Sequence, residues 1–184
     1  MSTRDQQREK VVVALVRHLG ETGLAQTSLR ELATAAGVSD RMLLYYFPDK
    51  NSVLAAVMKR MASDLSTILA EALPVDLALM PADLIVRAAR LTTGDAMRPF
   101  MRLWVQIVAA AARNEEPYTD MARQVMRGFE FWIESRLAPQ FQNGSMGTAT
   151  AILALIDGLA LIEICAGPER AEQAIDAIHA MMDT

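Results

Sequence analysis

The sequence predicts an all-α fold, with a three-helix helix-turn-helix domain at the N-terminus and a larger helical domain after it. Two observations support this prediction. Apolar residues recur at helical spacing through most of the chain, and the 7 prolines fall near the ends of these stretches. The chain contains no convincing strand pattern and no internal repeat.

The first helix is predicted over residues 4–19. An apolar stripe with helical spacing runs along it, at Val12, Leu15, Val16 and Leu19. Gly20 and Gly23 follow the stripe and favour the end of the helix. The stripe supplies a surface on which further short helices can pack.

The stretch 27–50 predicts two short helices joined by a tight turn. Ser28 and Glu31 have the S-x-x-E spacing of a capping box, so a helix is expected to begin at Leu29. Gly37 is expected to end this helix, because glycine enters the left-handed region without steric cost. Two helices across such a turn form a helix-turn-helix, which places its second helix in the DNA major groove.

The second short helix is predicted to begin after its cap Ser39 and to end near Tyr46. Helices this short are unstable alone in water, so Val38, Leu43 and Phe47 are expected to anchor them. The side chains left facing outward are Ser39, Asp40, Arg41, Met42, Tyr45 and Tyr46. Tyrosine and arginine can bind phosphates or base edges, which favours DNA as the partner; a motif used only for packing is the alternative.

These residues resemble the DNA-binding core of the TetR family of one-component transcriptional regulators. The matching positions are Thr27, Ser28, Leu29, Leu32, Ala33, Ala36, Gly37, Val38, Ser39, Leu43, Tyr46, Phe47 and Lys50. The resemblance implies that Thr27, Tyr46 and Lys50 contact phosphate. The family pattern has tyrosine at the position of Leu44, and whether Tyr45 replaces that contact stays open.

The predicted DNA-binding residues are Thr27, Ser28, Ser39, Asp40, Arg41, Met42, Tyr45, Tyr46 and Lys50. Arg4, Arg8 and Lys10 of the first helix either lie near a DNA backbone or face solvent. Residues 1–50 hold 7 Lys or Arg and 6 Asp or Glu, a net charge of +1, so electrostatic attraction alone gives weak nonspecific binding. Geometric contacts and dimerisation must then supply much of the affinity.

We predict that residues 1–49 form the helix-turn-helix DNA-binding domain and that residues 50–184 form a helical ligand-binding and dimerisation domain. The second domain begins with a helix over 50–73, about 35 Å long at about 1.5 Å per residue. Further helices are predicted over 82–93, 97–113, 117–137, 147–165 and 169–182.

Methionines and aromatic residues concentrate on two of these helices. The candidate ligand-binding residues are Met97, Phe100, Met101, Trp104, Met121, Val125, Phe129 and Trp132. Spacing alone favours an ordinary core. The resemblance implies an effector pocket here, and methionine-rich walls suit a small, mostly lipophilic effector. Candidate polar contacts are Arg102, Gln106, Tyr118 and Glu130.

The last two helices are predicted to form a homodimer interface. Residues 149–166 are apolar on nearly all sides, so this helix must be covered on all sides. The resemblance implies that these helices pack against those of a second subunit. The predicted interface residues are Ile152, Ile156, Leu159, Ile175, Ile178 and Met182. A purely internal helix is the alternative.

Composition argues against several other classes of protein. The longest apolar run, residues 149–164, contains Asp157 and Glu163, so we expect no membrane span. The N-terminus lacks the apolar segment of a secretion signal. Cys165 is the single cysteine, which excludes an intramolecular disulfide and fits the cytoplasm; we expect its thiol to be buried.

We therefore expect a cytoplasmic, homodimeric repressor that a small lipophilic effector releases from a near-palindromic double-stranded DNA operator. An activator or co-regulator of the same fold, whose ligand promotes DNA binding, is the first alternative. A small α-helical enzyme is a distant one, because His18 and His179 are the only histidines and no nucleophile or metal-ligand cluster is present. A pure protein-interaction module would show no salt-dependent DNA affinity. No cofactor, metal or catalytic residue is predicted.

Overall fold

The computed structural model describes residues 3–24, 27–142 and 146–182. Within these ranges the chain is helical and has no strand, which confirms the predicted fold class. The helices are α1 (Thr3–Thr22), α2 (Leu29–Ala35), α3 (Asp40–Tyr46), α4 (Lys50–Ala72), α5 (Pro81–Thr92), α6 (Arg98–Ala112), α7 (Tyr118–Glu134), α8 (Pro139–Gln142), α9 (Met146–Ala166) and α10 (Pro168–Met182). Short 3-10 turns cover Val75–Leu77 and Asp95–Met97.

The chain forms two compact units. The first contains the chain up to Ser66 together with Arg102–Ala122, and the second contains Thr67–Met101 together with the chain from Arg123 onward. The division between these units lies inside α4, between Ser66 and Thr67, rather than between residues 49 and 50, and part of α6 joins the first unit. The predicted domain boundary stays a prediction.

The first unit has a core built from the apolar stripe of α1 and the inner faces of the next helices. The buried side chains are Val11, Val12, Leu15, Leu19, Leu32, Leu43, Phe47, Val53, Leu54 and Val57. Helix α2 packs against both α1 and α3. An ion pair between Glu9 and Arg60 joins α1 to α4.

Local hydrogen bonds set the ends of α2 and α3 as predicted. The Glu31 N–H donates to Ser28 Oγ over 3.2 Å, and the Ser28 N–H donates to the Glu31 carboxylate over 2.6 Å. Gly37 has φ +67° after the end of α2. The Met42 N–H donates to Ser39 Oγ over 3.2 Å, which caps α3. The predicted capping box, glycine turn and second cap are therefore confirmed.

The second unit packs α5, α9 and α10 against one another. Leu84 and Ile85 of α5 are fully buried in this core. On its surface the Arg90 guanidinium bridges the carboxylates of Glu172 and Asp176, at 2.8 and 2.9 Å. Helices distant in the sequence are thus held by both apolar and ionic contacts.

Helix α7 is shorter than the predicted helix over 117–137. It ends at Glu134 because the next residues pair with the connection before α5. The Leu79 N–H donates to the Arg136 carbonyl over 2.7 Å, and the Ala138 N–H donates to the Leu79 carbonyl over 2.8 Å. In this extended pairing, backbone groups of residues 136 and 138 bond to Leu79 instead of forming hydrogen bonds within a longer α7.

Residues Gly147–Ala166 of α9 are long and apolar enough to cross a membrane by length and composition alone. This is weak evidence, because core helices of soluble proteins pass the same test. Here α9 packs against α5 and α10, and its Glu163 carboxylate accepts a hydrogen bond from Arg98 over 3.0 Å.

Gly37→Ala is expected to destabilise the protein by about 1 kcal/mol, because a Cβ at φ +67° is strained even though no atom lies within 4 Å of it. Gly128→Ala is the matched control. Gly128 lies inside α7, and its added Cβ also meets no atom within 4 Å, so alanine should stabilise by roughly 0.5–1 kcal/mol. Urea unfolding measures the free energy of unfolding of both variants. A Gly37→Ala protein as stable as the parent would contradict the left-handed conformation of the turn.

Candidate DNA-binding and ligand-binding sites

Helix α3 presents the outward face that the sequence predicts. Its seven residues span roughly 10 Å. Met42 and Tyr45 are exposed to 41% and 58%. Ser39, Asp40 and Arg41 are also exposed, whereas Tyr46 is half-buried. The structure therefore brings these six predicted residues onto one short, accessible helix and its cap.

Two arginines of α1 lie beside the C-terminal end of α3. The Arg4 guanidinium is 4.8 Å from the centroid of the Tyr45 ring, and the Arg8 guanidinium is 4.7 Å from that of Phe47. Tyr45 and Tyr46 meet edge to face with centroids 5.4 Å apart. Arginine over an aromatic face is favourable, so these contacts fix two cations near the exposed tyrosine. The sequence left the role of Arg4 and Arg8 open.

Thr27 requires a correction. Its side chain is only 7% exposed, and its hydroxyl donates to the Leu24 carbonyl over 3.1 Å. The hydroxyl is thus part of the turn before α2 rather than an accessible phosphate contact. Ser28 is exposed, but its Oγ already accepts the Glu31 N–H.

The start of α4 places Lys50 in the first helical turn, where it is half-buried. The preceding Asp49 accepts the Ser52 N–H over 2.7 Å, and this bond lowers the pKa of its carboxyl. The Ser28 N–H likewise lowers the pKa of Glu31. Two acidic groups of the first unit are therefore engaged at helix N-termini, where negative charge is favourable.

Leu44 is 45% exposed and sits next to Tyr45 on α3. A leucine can contact a thymine methyl group but cannot bind a phosphate. Tyr45 is more exposed and carries a hydroxyl, so it is the better placed of the two for a polar contact.

The candidate ligand-binding residues divide between the two units. Trp104 and Met121 belong to the first unit, and the other six belong to the second. The buried members are Met97, Met101, Met121 and Trp132, and the half-buried members are Phe100, Trp104, Val125 and Phe129. Ligand binding by this set stays a prediction.

The candidate polar contacts have different roles in the structure. Gln106 Oε1 accepts the Leu24 N–H over 2.6 Å. The Glu130 carboxylate accepts the Thr150 hydroxyl over 2.7 Å. Burial raises the pKa of Tyr118, and Arg102 is exposed.

Arg136 is a residue that the sequence analysis missed. It is 6% exposed, and its guanidinium lies 4.6 Å from the centroid of the Trp132 ring. Nε donates to the Leu73 carbonyl over 3.0 Å, and Nη1 donates to Ser135 Oγ over 2.6 Å and to the Trp132 carbonyl over 3.3 Å. Its position four residues after Trp132, followed by Leu-Ala-Pro, is the one sequence signal for its burial.

The predicted dimer residues also require correction. Ile152, Ile156, Leu159 and Ile175 are at most 5% exposed within the single chain, because they form the core between α5, α9 and α10. A second subunit has no access to them. Ile178 is half-buried and Met182 is 44% exposed, so only these two of the predicted set remain accessible.

The accessible face of α9 is a different apolar stripe. It consists of Ala151, Ala154, Leu155, Gly158, Leu161, Ile162 and Cys165. Cys165 is exposed, which corrects the expectation of a buried thiol. A groove of about 410 Å³ opens beside this stripe and is lined by Ile162, Ala166, Arg170, Gln173 and Ala174.

Comparison with known proteins supports the interpretation of the N-terminal helices. Residues 11–57 match the family model of bacterial regulatory proteins, tetR family. Over 174 residues the chain is 26% identical to the HTH-type transcriptional regulator BetI of Burkholderia mallei, which covers 91% of this chain and 86% of that protein. The corresponding BetI of Pseudomonas paraeruginosa is 27% identical over 160 residues, 83% of this chain and 78% of that protein.

Solved structures share the whole fold. A transcriptional regulator from Rhodococcus sp. Rha1 superposes with a TM-score of 0.73 at 23% identity, covering 95% of this chain and 94% of the other. The multidrug binding protein EbrR complexed with proflavin superposes with a TM-score of 0.67 at 19% identity, covering 96% and 99%.

The helix-turn-helix geometry, the family match and the related regulators agree with one another. Residues 11–57 therefore match the tetR family of bacterial regulatory proteins, and over most of its length the chain is similar to transcriptional regulators.

Proposed function

We propose that this regulator is a cytoplasmic homodimer that represses transcription from a near-palindromic operator and is released by a small effector. The observation that carries the proposal is the exposed face of α3, held by two helix caps and flanked by Arg4 and Arg8. Two such helices about 34–36 Å apart would enter successive major grooves, which is why the operator should be nearly palindromic.

The proposed base-reading surface consists of Arg41, Met42 and Tyr45. Arg41 can donate to guanine, and Met42 can contact a thymine methyl group. Asp40 at the start of α3 can accept from a cytosine amino group but would repel a nearby phosphate. Tyr46 and Lys50, with Arg4 and Arg8, would contact the phosphate backbone and fix the position of α3.

The proposed effector binds methionine and aromatic residues of the second unit, which include Met101 of α6 and Trp132 of α7. Support comes from their composition and from the related fold of EbrR, which binds proflavin in its solved complex. Methionine side chains adapt to ligands of different shape. An effector can release DNA only to the extent that it binds the DNA-free conformation more tightly.

The proposed dimer interface is the exposed stripe of α9 with the neighbouring face of α10. Small residues at positions 151, 154 and 158 allow close approach of a second helix, and Leu155, Leu161 and Ile162 supply apolar area. Ile178 and Met182 extend this surface along α10. An exposed apolar patch of this kind usually marks an interface.

Lys50→Ala should weaken operator binding at all sites alike and should reduce the slope of log affinity against log salt by about 1, because one fewer phosphate is neutralised. Tyr46→Ala and Tyr45→Phe should also weaken binding, the second because it removes a single hydroxyl group. Lys59→Ala, at an exposed lysine further along α4, is the control. Gel-shift titration across a salt series tests this, and unchanged binding by Lys50→Ala and Tyr46→Ala would contradict the proposed interface.

Leu155→Glu should convert the dimer into monomers, because a carboxylate in an apolar interface lacks a partner and costs about 3 kcal/mol or more. Leu77→Glu is the matched control, since Leu77 is 39% exposed and Leu155 is 40% exposed. Sedimentation velocity shows whether each variant is a dimer or a monomer. A Leu155→Glu protein that stays dimeric would show that the interface lies elsewhere.

Addition of an effector to a preformed complex with DNA should release the DNA. This outcome separates a repressor from the alternative, an activator or co-regulator whose ligand strengthens binding. Fluorescence anisotropy of a labelled operator, read while candidate lipophilic compounds are added, gives the sign directly. A rise in affinity for the operator would contradict the repressor and favour the activator or co-regulator.

A further inference from the structure

Trp132 and Arg136 form a buried pair of hydrogen-bond donors in the second unit. The Trp132 side chain is 8% exposed, and its indole Nε1 is buried without a hydrogen-bond partner among the residues that the structure describes. Buried polar groups are almost always paired, so an orphan indole N–H in a native core requires an explanation. A bound ligand that accepts this N–H would supply one.

Arg136 carries a positive charge that no acidic side chain balances. Its hydrogen-bond acceptors are the Leu73 carbonyl, the Trp132 carbonyl and Ser135 Oγ, all neutral oxygens. Across residues 3–24, 27–142 and 146–182, no carboxylate forms an ion pair with it. Burial, with no compensating acid, lowers the pKa of its guanidinium.

The usual structural role of such an arginine accounts for only part of this arrangement. The carbonyls of Leu73 and Trp132 lie at the C-terminal ends of α4 and α7, where a cation is favourable. This partial charge offsets some of the cost of burying the guanidinium. It does nothing for the Trp132 N–H, which is a second donor without an acceptor among the described residues.

We infer that the effector is an anionic amphiphile, an apolar body with one carboxylate, and that Arg136 and the Trp132 N–H bind the carboxylate. Arginine pairs with carboxylates through parallel N–H donors, and its stacking on the ring keeps the guanidinium oriented. This inference rests on the proposed function, since it specifies the effector of the same region. The inferred effector is therefore acidic rather than purely lipophilic.

The test compares ligands that differ only in the polar group. Isothermal titration calorimetry would measure the binding of octanoate, octan-1-ol and octylammonium, and of naphthoate and naphthylmethanol, to the full-length protein without DNA. A hydrogen bond to a charged group predicts that each acid binds at least about tenfold more tightly than its alcohol. Equal affinities, tighter binding of octylammonium, or no binding by either acid would overturn the inference.

Two variants test whether Arg136 and Trp132 cause the preference for acids over alcohols. Arg136→Met should reduce the acid-to-alcohol ratio of affinities to near one, and Arg127→Met, at an exposed arginine of α7, should leave it unchanged. Trp132→Phe should lower the ratio while keeping an aromatic ring, which covers the case in which Arg136→Met fails to fold. A ratio that survives Trp132→Phe overturns the role of the indole N–H, because lost packing alone would weaken acid and alcohol together.

These experiments distinguish failure of the inference from failure of the proposed function. A protein that prefers the acids but binds no operator would overturn repression alone. A protein whose operator complex is released only by neutral or cationic compounds would overturn the inference alone.

Discussion

The burial of two side chains, Leu43 and Phe47, is the constraint on which the proposed DNA-binding surface depends. Leu43 is fully buried and Phe47 is 1% exposed. A seven-residue helix has almost no stability alone in water, so α3 exists only because these residues anchor it to the core that α1 and α2 complete. The outward residues keep their positions because their neighbours on the other face cannot leave the core.

Polar groups near α3 divide into those that hold the helices and those that remain available. Ser28, Glu31 and Asp49 bond to backbone N–H groups at helix starts, and the Thr27 hydroxyl bonds within a turn. These bonds satisfy donors that every helix N-terminus would otherwise leave unpaired. The tyrosines and arginines remain accessible, so a nearly neutral domain can still present the proposed DNA-binding face.

The arginines of the second unit differ in whether a carboxylate balances their charge. Arg90 and Arg98 lie at the surface, half or nearly half exposed, and pair with carboxylates. Arg136 is buried and pairs only with neutral oxygens. Surface pairs contribute little to stability, whereas an unbalanced buried charge is costly. Its position beside the Trp132 indole N–H is the reason for proposing a carboxylate site here.

Local sequence patterns were sufficient to predict the structure of the helix-turn-helix. The capping box at Ser28 and Glu31, the turn at Gly37 and the cap at Ser39 depend on residues within a few positions of one another, so pattern and geometry coincide. The order and approximate bounds of the other helices followed from apolar periodicity for the same reason. The early end of α7 did not, since it depends on pairing with Leu79, far away in the chain.

The packing of the helices was needed to establish which apolar face of α9 is buried and where the distant charges lie. A helix that is apolar on nearly all sides carries no signal of its orientation, so Ile152 and Ile156 could be placed in the core only once α5 and α10 were in position. The contacts of Arg4 with Tyr45, and of Arg136 with Leu73, join residues 41 and 63 positions apart. Such contacts arise from packing, which sequence periodicity does not encode.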